Sequence, residues 1–331
     1  MQMIRSIARI SSSCPKQKLI VALVTAFAIV VLLSRRVPTA FPFYQCLSMN
    51  SRTDWSAIDV NTMTAKQIMD YFRWNNASSC RLAQYFGGVT FLFGIDGQKA
   101  VCMDPEIMPL AGKCIVYSFG INNDWSFEEM IDRYGCDVYA FDPSLNMTTR
   151  QRNDSNIRYF HLGLGDHEEQ FDDGWHVQTL STIYDKLLTD KQHASDRFID
   201  YLKIDIEEDE WTVLIDILDS GMLEKVRQMA VEVHLPLEGN ITDYQRLVGL
   251  LRSMEEQHGM VRFDSKINAY SEGSIRHLFG MDFAAHEIAC AISTIKISDM
   301  NDNQSCNKGT PPNVGIQILL RDVCIFVVVD F

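Results

Sequence analysis

The 331-residue chain has no C-x-x-C pair, no paired Cys/His spacing and no G-x-G-x-x-G turn. The first two absences argue against structural zinc, which needs closely spaced thiolate and imidazole ligands. The third removes the fingerprint of a dinucleotide site, where glycines let the backbone approach a pyrophosphate. Positive charge is also scarce: 30 Lys and Arg against 43 Asp and Glu give a formal net charge of −13. Six of the basic residues lie in residues 1–36, which hold no acid, so the remainder carries 24 basic against 43 acidic residues, or −19. A body that acidic repels phosphate backbones and excludes nucleic acid as a partner. Internal repeats and low-complexity segments are absent as well.

Long apolar runs are lacking too. The longest, Leu19 to Leu33, has 15 residues, whereas a bilayer core takes about 20. Signal-peptide cores have that length, but Arg35 and Arg36 follow directly and no small-x-small site precedes Phe41. Four basic residues before the run and two after it keep the short N-terminus cytoplasmic. Thin early-secretory membranes suit a short span. The expectation is a single-pass type II signal-anchor protein of the endoplasmic reticulum or Golgi, with its body in the lumen. The organisation read from the sequence is a cytoplasmic tail (1–18), an anchor (19–34), a stem (35–62), a folded domain (63–292) and a divergent tail (293–331). Sequons at Asn76, Asn146, Asn153, Asn240 and Asn303 fit a lumenal glycoprotein. Of nine cysteines, Cys80, Cys102, Cys114 and Cys136 are placed to form disulfides there, with the pairing open.

What the chain does have is concentrated in Cys114 to Pro143, CIVYSFGINNDWSFEEMIDRYGCDVYAFDP. The pattern predicts a strand over 115–119, a turn at Gly120, a helix over 125–134, a strand over 138–141 and an acid, Asp142, closing it. In a doubly wound α/β fold the first turn receives a ligand, and an acid about 20 residues on binds a ribose diol. Asp142 follows Gly120 by 22 residues. The turn has one glycine and carries Asp124, which disfavours pyrophosphate and tolerates a cofactor with a cationic or zwitterionic end.

Further strands are expected at 157–162, 198–206, 226–235 and 260–264, with helices over 64–74, 179–188, 208–218 and 243–258. Two strands, 90–94 and 99–103, read as joined by the Asp96-Gly97 turn. Alternating strands and helices predict an α/β fold with a doubly wound, mostly parallel sheet. Acids recur at successive strand ends: Asp142, Asp166, Asp205 with Glu207, and Glu232 with His234. Ligands bind outside the carboxyl ends of such strands. Asp205, Glu207, Glu232 and His234 also read as a possible divalent-cation set, though no metal is assigned. Trp125, Trp175 and Trp211 read as core.

The segments VYSFGINNDWSFE, VYAFDPS, HLGLGD, YLKIDIEEDEWTVL and MAVEVH, in that order, resemble the motifs of S-adenosylmethionine (SAM)-dependent methyltransferases of the FkbM type. Within them the chain is most similar to the membrane-anchored methyltransferase-like protein 24 group, over roughly Cys80 to Ala289. The resemblance implies a Rossmann-like class I methyltransferase fold with S-adenosyl-L-methionine as cofactor. Phe119, Gly120 and Asn122 would then line the methionine end, Asp142 would take the ribose hydroxyls, and Gly165 with Asp166 would lie near the adenine. Asp205 and Glu207 would face the reaction pocket as catalytic residues; His234, read from its place at a strand end rather than from the resemblance, is the candidate catalytic base. Ser118 and Asp124 depart from the family pattern, which has an acid and a second glycine there. The expected activity is methyl transfer to an oxygen or nitrogen acceptor in the lumen, with a small molecule or glycan as substrate. The alternatives are a lumenal glycosyltransferase, suggested by Asp205-x-Glu207, and an inactive methyltransferase fold used for binding.

Overall fold

A computed structural model describes residues 53–91, 94–145, 150–151, 155–172, 174–190, 197–271, 273–281 and 284–292. The chain divides into two compact units, Met1–Trp55 and Ser56–Phe331. The expected anchor and the divergent C-terminal tail lie outside the described residues. Among the described residues, no helix is long and apolar enough to cross a membrane.

The second unit is built on one sheet. Its main strands are β1 (Ile115–Phe119), β2 (Asp137–Phe141), β3 (Ile157–Phe160), β4 (Tyr201–Ile204), β5 (Gln228–His234), β6 (Met260–Ile267) and β7 (Ala285–Ile292). Their spatial order is β6-β7-β5-β4-β1-β2-β3, and the two-residue strand Arg150–Gln151 makes an eighth at the β3 edge. β1 pairs in parallel with both β2 and β4, and β4 in parallel with β5. β7 runs antiparallel between β5 and β6. Burial explains the near-continuous apolar strands: every residue of β1 and β4 is buried, as expected of a parallel sheet covered on both faces.

Local chemistry sets the helices. In α1 (Ala65–Arg73), Thr64 and Gln67 form a reciprocal capping box, and Ile68, Met69, Tyr71 and Phe72 make the buried face. α2 (Ser126–Tyr134) connects β1 to β2 and ends on Gly135 in the left-handed conformation. α3 (Leu180–Thr189) is capped by the Thr179 hydroxyl, and α4 (Glu210–Asp219) connects β4 to β5. In α5 (Ile241–Glu256), Asn240 and Asp243 repeat the capping box.

Two details differ from the sequence expectation, and one that was left open is settled. The Asp96-Gly97 turn does not join a hairpin: Val89–Phe91 pairs with Gly94–Asp96, while Lys99–Cys102 pairs with Ala83–Phe86. The fully buried Lys99–Cys102 strand is held by the long-range Cys80–Cys102 disulfide, a constraint that local pattern does not reveal. The second disulfide is Cys114–Cys136, which resolves the pairing left open above. Lastly, Trp211 is buried but Trp175 is 41% exposed, so Trp175 is not a core residue.

Candidate functional site

The chain turns from β1 into α2 at the place where strand order reverses, between β1 and β4. Gly120 has φ of 76°, and a Cβ there would overlap the carbonyl oxygen of Asp205, the first residue after β4. Only glycine fits this approach. The Gly120 amide donates to the Phe141 carbonyl at 3.0 Å, and the Asp205 amide to the Phe119 carbonyl at 3.2 Å. Asp142 Oδ2 accepts from the amides of Ile121 and Asn122, each at 2.7 Å. Its Oδ1 accepts from the Ser144 amide (2.8 Å) and hydroxyl (2.6 Å). The structure thus brings Phe119, Gly120, Asn122, Asp142 and Asp205 together. The Phe119 ring is buried and stacks on Phe141 at 4.5 Å, so Phe119 offers backbone rather than ring.

Gly165 and Asp166 lie beside a small ribbon formed by Gly163–Leu164, Glu169–Gln170 and His176–Gln178, and this ribbon abuts the end of β2: a Cβ on Gly163 would lie 3.1 Å from Pro143, the residue after Asp142. Asp166 is exposed and pairs with His167. Among the described residues no hydrogen bond or ion pair joins Gly165 or Asp166 to the Gly120 turn.

Of the three expected catalytic residues, Glu207 and His234 are in contact, while Asp205 faces two lysines. Asp205 Oδ2 lies 3.1 Å from Lys99 Nζ and 3.7 Å from Lys203 Nζ. Burial alone would raise the Asp205 pKa, but the two ammonium groups outweigh it and hold the carboxyl below its usual range. Glu207 has a left-handed backbone (φ 56°) and an 81% exposed side chain, 3.4 Å from His234 Nε2. His234 Nδ1 pairs with the buried Glu210 at 2.9 Å. Burial lowers the His234 pKa, yet the Glu210 hydrogen bond and the surrounding carboxylates lift it to about 9. The imidazole is therefore protonated at neutral pH and has no lone pair with which to act as a base. Asp205 and Glu207 face different partners and do not converge on one cation, which removes the geometric support for the glycosyltransferase alternative.

A buried charge cluster that sequence reading missed sits behind Asp205. Lys99 Nζ lies 3.1 Å from Asp205, 2.6 Å from Glu287 and 3.4 Å from Glu232. The ammonium occupies the place a cation would take among these acids, and they push its pKa well above the ordinary value. Asn268 donates to Glu232 at 2.6 Å. Burial raises the Glu287 pKa to about 8 against the pull of Lys99. A second buried acid, Glu128 of α2, accepts the Ser118 hydroxyl at 2.6 Å and lies 4.0 Å from Lys203. Lys203 in turn donates to the Gly120 carbonyl. The acid missing from position 118 is thus replaced by a carboxylate reaching back from the next helix. The available signal was the lysine that opens the apolar strand KAVC, since a buried ammonium demands carboxylate partners.

Over this cluster opens a cleft of about 460 Å³, lined by residues 94–98 and 266–270 and by Glu287. Elsewhere, Cys80, Cys102 and Asp104 approach as metal ligands would. The two sulfurs there are joined in a disulfide, and Asp104 accepts from the amides of Arg81 and Leu82.

A family model described as "Methyltransferase domain" matches residues 59–279. The Homo sapiens protein "Probable methyltransferase-like protein 24" is 29% identical over 131 residues, covering 38% of this chain and 34% of its own. The Rattus norvegicus protein of the same name is 29% identical over 128 residues, again 38% of this chain and 34% of its own. The matched part spans about a third of these curated relatives. A solved chain, "Putative hemolysin from Streptococcus thermophilus", aligns with a TM-score of 0.34 at 12% identity, over 56% of this chain and 62% of its own. So loose a likeness carries no argument.

Proposed function

The chain belongs to the methyltransferase domain family, and from that membership we propose that it is a SAM-dependent methyltransferase of the FkbM type, working in the secretory-pathway lumen. One observation carries the cofactor reading: the Gly120 turn at the topological switch point, clamped between Asp142 and Asp205. Ligands of open α/β sheets bind there.

The residues around the turn suit this cofactor and oppose a pyrophosphate. Asp124, Asp142 and Asp205 bear negative charge on or beside the turn, which favours a group with cationic sulfonium and ammonium centres. Bound there, SAM supplies an electrophilic methyl group with a neutral thioether as leaving group. Gly120 and Asn122 would line its amino-acid end. Asp142 would hold the ribose diol by exchanging one or more of its four internal hydrogen bonds. Lys203, between Gly120, Asp205 and Glu128, orients the turn. Positioning of this kind supplies much of the rate in a transfer that needs two reactants aligned.

Two disulfides support an oxidising compartment. The apolar run of residues 19–33 with its basic flanks supports a type II anchor, and the exposed sequon residue Asn240 is open to a glycan.

Calorimetry on the full chain in detergent micelles tests the reading. SAM or S-adenosylhomocysteine should bind with a dissociation constant on the order of micromolar. Asp142→Asn, which turns one acceptor oxygen into a donor, should weaken binding about ten-fold or more. Manganese-dependent binding of UDP-glucose, or no binding of either adenosyl ligand to a folded sample, would overturn the assignment.

A further inference from the structure

Asp205 bears on the cofactor turn through its backbone. Its carbonyl stands where a Cβ on Gly120 would lie, and its amide donates to Phe119 at 3.2 Å. The chain just beyond it is strained: Glu207 and Glu208 have φ of 56° and 79°, a left-handed stretch that side chains disfavour. Such a turn persists only where its surroundings hold it. Lys203 of β4 supplies one hold, donating to the Gly120 carbonyl and lying 3.7 Å from Asp205 Oδ2. The closer ammonium, at 3.1 Å, belongs to the buried Lys99, outside the βα series on the strand Lys99–Cys102. We propose that Lys99 is a positioning residue for methyl transfer, fixing Asp205 so that the Gly120 turn keeps the shape the cofactor needs. The proposal rests on the methyltransferase reading above.

The strand that carries Lys99 is itself pinned to the sheet. The Tyr201 hydroxyl donates to the Ala100 carbonyl at 2.7 Å, and the Gln228 amide group bonds the Cys102 amide at 2.7 Å and its carbonyl at 2.9 Å. Lys99 is thus in place before it grips Asp205, so little side-chain entropy is lost in holding the contact. Charge balance alone does not require that contact. Glu287 at 2.6 Å and Glu232 at 3.4 Å already give the ammonium two carboxylates, from β7 and β5. Asp205 is the partner that meets the Gly120 turn. The charged groups that face Asp205 are Lys99 from its strand, Lys203 from β4, His234 at the end of β5, Glu287 from β7 and Glu207 beyond β4. Burial raises the Asp205 pKa, and among the charges that lower it Lys99 is the strongest.

Calorimetry with S-adenosylhomocysteine, on the full chain in detergent micelles, is paired with hydrogen exchange on the ligand-free protein. Lys99→Met keeps the length of the side chain and removes its charge. It should weaken S-adenosylhomocysteine binding about ten-fold. That deficit should widen as the pH falls from 8 to 5, because Asp205 then takes up a proton that Lys99 keeps off in the wild type. Asp205→Asn should weaken binding about as much, and combining the two should cost no more than the worse single change, since both break one contact. Lys99→Met also leaves buried carboxylates unpaired, so its midpoint in urea should fall. Adding Glu287→Gln removes one of these and should restore part of the midpoint while the affinity stays low; that pair also serves if Lys99→Met alone does not fold. Without ligand, exchange should quicken about ten-fold across residues 119–124 and 204–209. The Asp137 amide, bonded to Cys114 at the far end of the sheet, should keep its wild-type rate. Wild-type affinity in Lys99→Met, additive losses, affinity that recovers with the midpoint, or unchanged exchange at the turn overturns the proposal. A wild-type chain that binds no adenosyl ligand sinks the methyltransferase reading instead, and the exchange rates then decide the role of Lys99 by themselves.

Discussion

Gly120 shows what a single residue decides here. Its left-handed φ and the Asp205 carbonyl facing it leave no room for a side chain. Gly120→Ala should therefore cost at least about 2 kcal/mol in urea unfolding, from backbone strain and overlap with a rigid carbonyl. It should also abolish adenosyl-ligand binding, because Phe119, Asn122 and Asp142 are all registered from that turn. An unchanged unfolding midpoint would show that the turn relaxes. Gly120, Asp142 and Asp205 were legible in the sequence because strand ends and turns mark themselves locally. Lys99, Glu287 and Glu128 were not. Lys99 and Glu287 are separated by 188 positions and meet only once β7 is inserted beside β5. Glu128 sits in an acidic helix start that reads as solvated, yet it is fully buried.

At the scale of elements, periodicity placed most helices within a residue or two, and the Thr64 cap is written in local sequence; the Asn240 capping box went unread, and it starts α5 two residues before the expected 243. The region before β1 was misread because a disulfide, not a turn, sets its pairing. The two disulfides each span a sequence separation of 22, so their effect on chain entropy is alike. Removing either one as a double Cys→Ala variant should cost about 3 kcal/mol. Their effects on the site should differ. Cys114–Cys136 ties the residue before β1 to the residue before β2, at the end of the sheet away from the Gly120 turn. Cys80–Cys102 anchors the strand that carries Lys99 into the acid cluster. Cys80→Ala with Cys102→Ala should thus weaken S-adenosylhomocysteine binding, because Lys99 holds Asp205 against the Gly120 turn, and Cys114→Ala with Cys136→Ala should leave it intact. Equal loss in both, read by calorimetry with S-adenosylhomocysteine, would mean that global loosening rather than strand placement governs the site.

For the whole molecule, the buried groups link folding to protons in opposite directions. Glu287 and His234 have folded pKa values raised to about 8 and about 9 from 4.5 and 6.5. Each contributes stability that is complete below its unfolded value and is lost as the pH rises through its folded one. Above pH 6.5 both losses add, so the domain should be less stable at pH 8.5 than at pH 6. His286 acts the other way. Burial holds it neutral, lowering its pKa from 6.5 to about 3, and among the described residues neither ring nitrogen has a hydrogen-bond partner. Its contribution is present above pH 6.5 and is lost as the pH falls, at about 1.4 kcal/mol per unit. Between 4.5 and 6.5 this loss offsets the gain from Glu287, which hides both in the wild-type curve. His286→Phe uncovers them. The ring sits beside Phe72 at 5.7 Å, so an apolar aromatic keeps the packing and removes two unsatisfied nitrogens. The variant should be more stable than wild type by about 1–3 kcal/mol at pH 7. Urea titrations should show that margin growing by roughly 2 kcal/mol at pH 5, because only the wild-type protein loses the His286 contribution on acidification. A margin that stays constant from pH 7 to pH 5 would mean that His286 is already protonated in the folded chain.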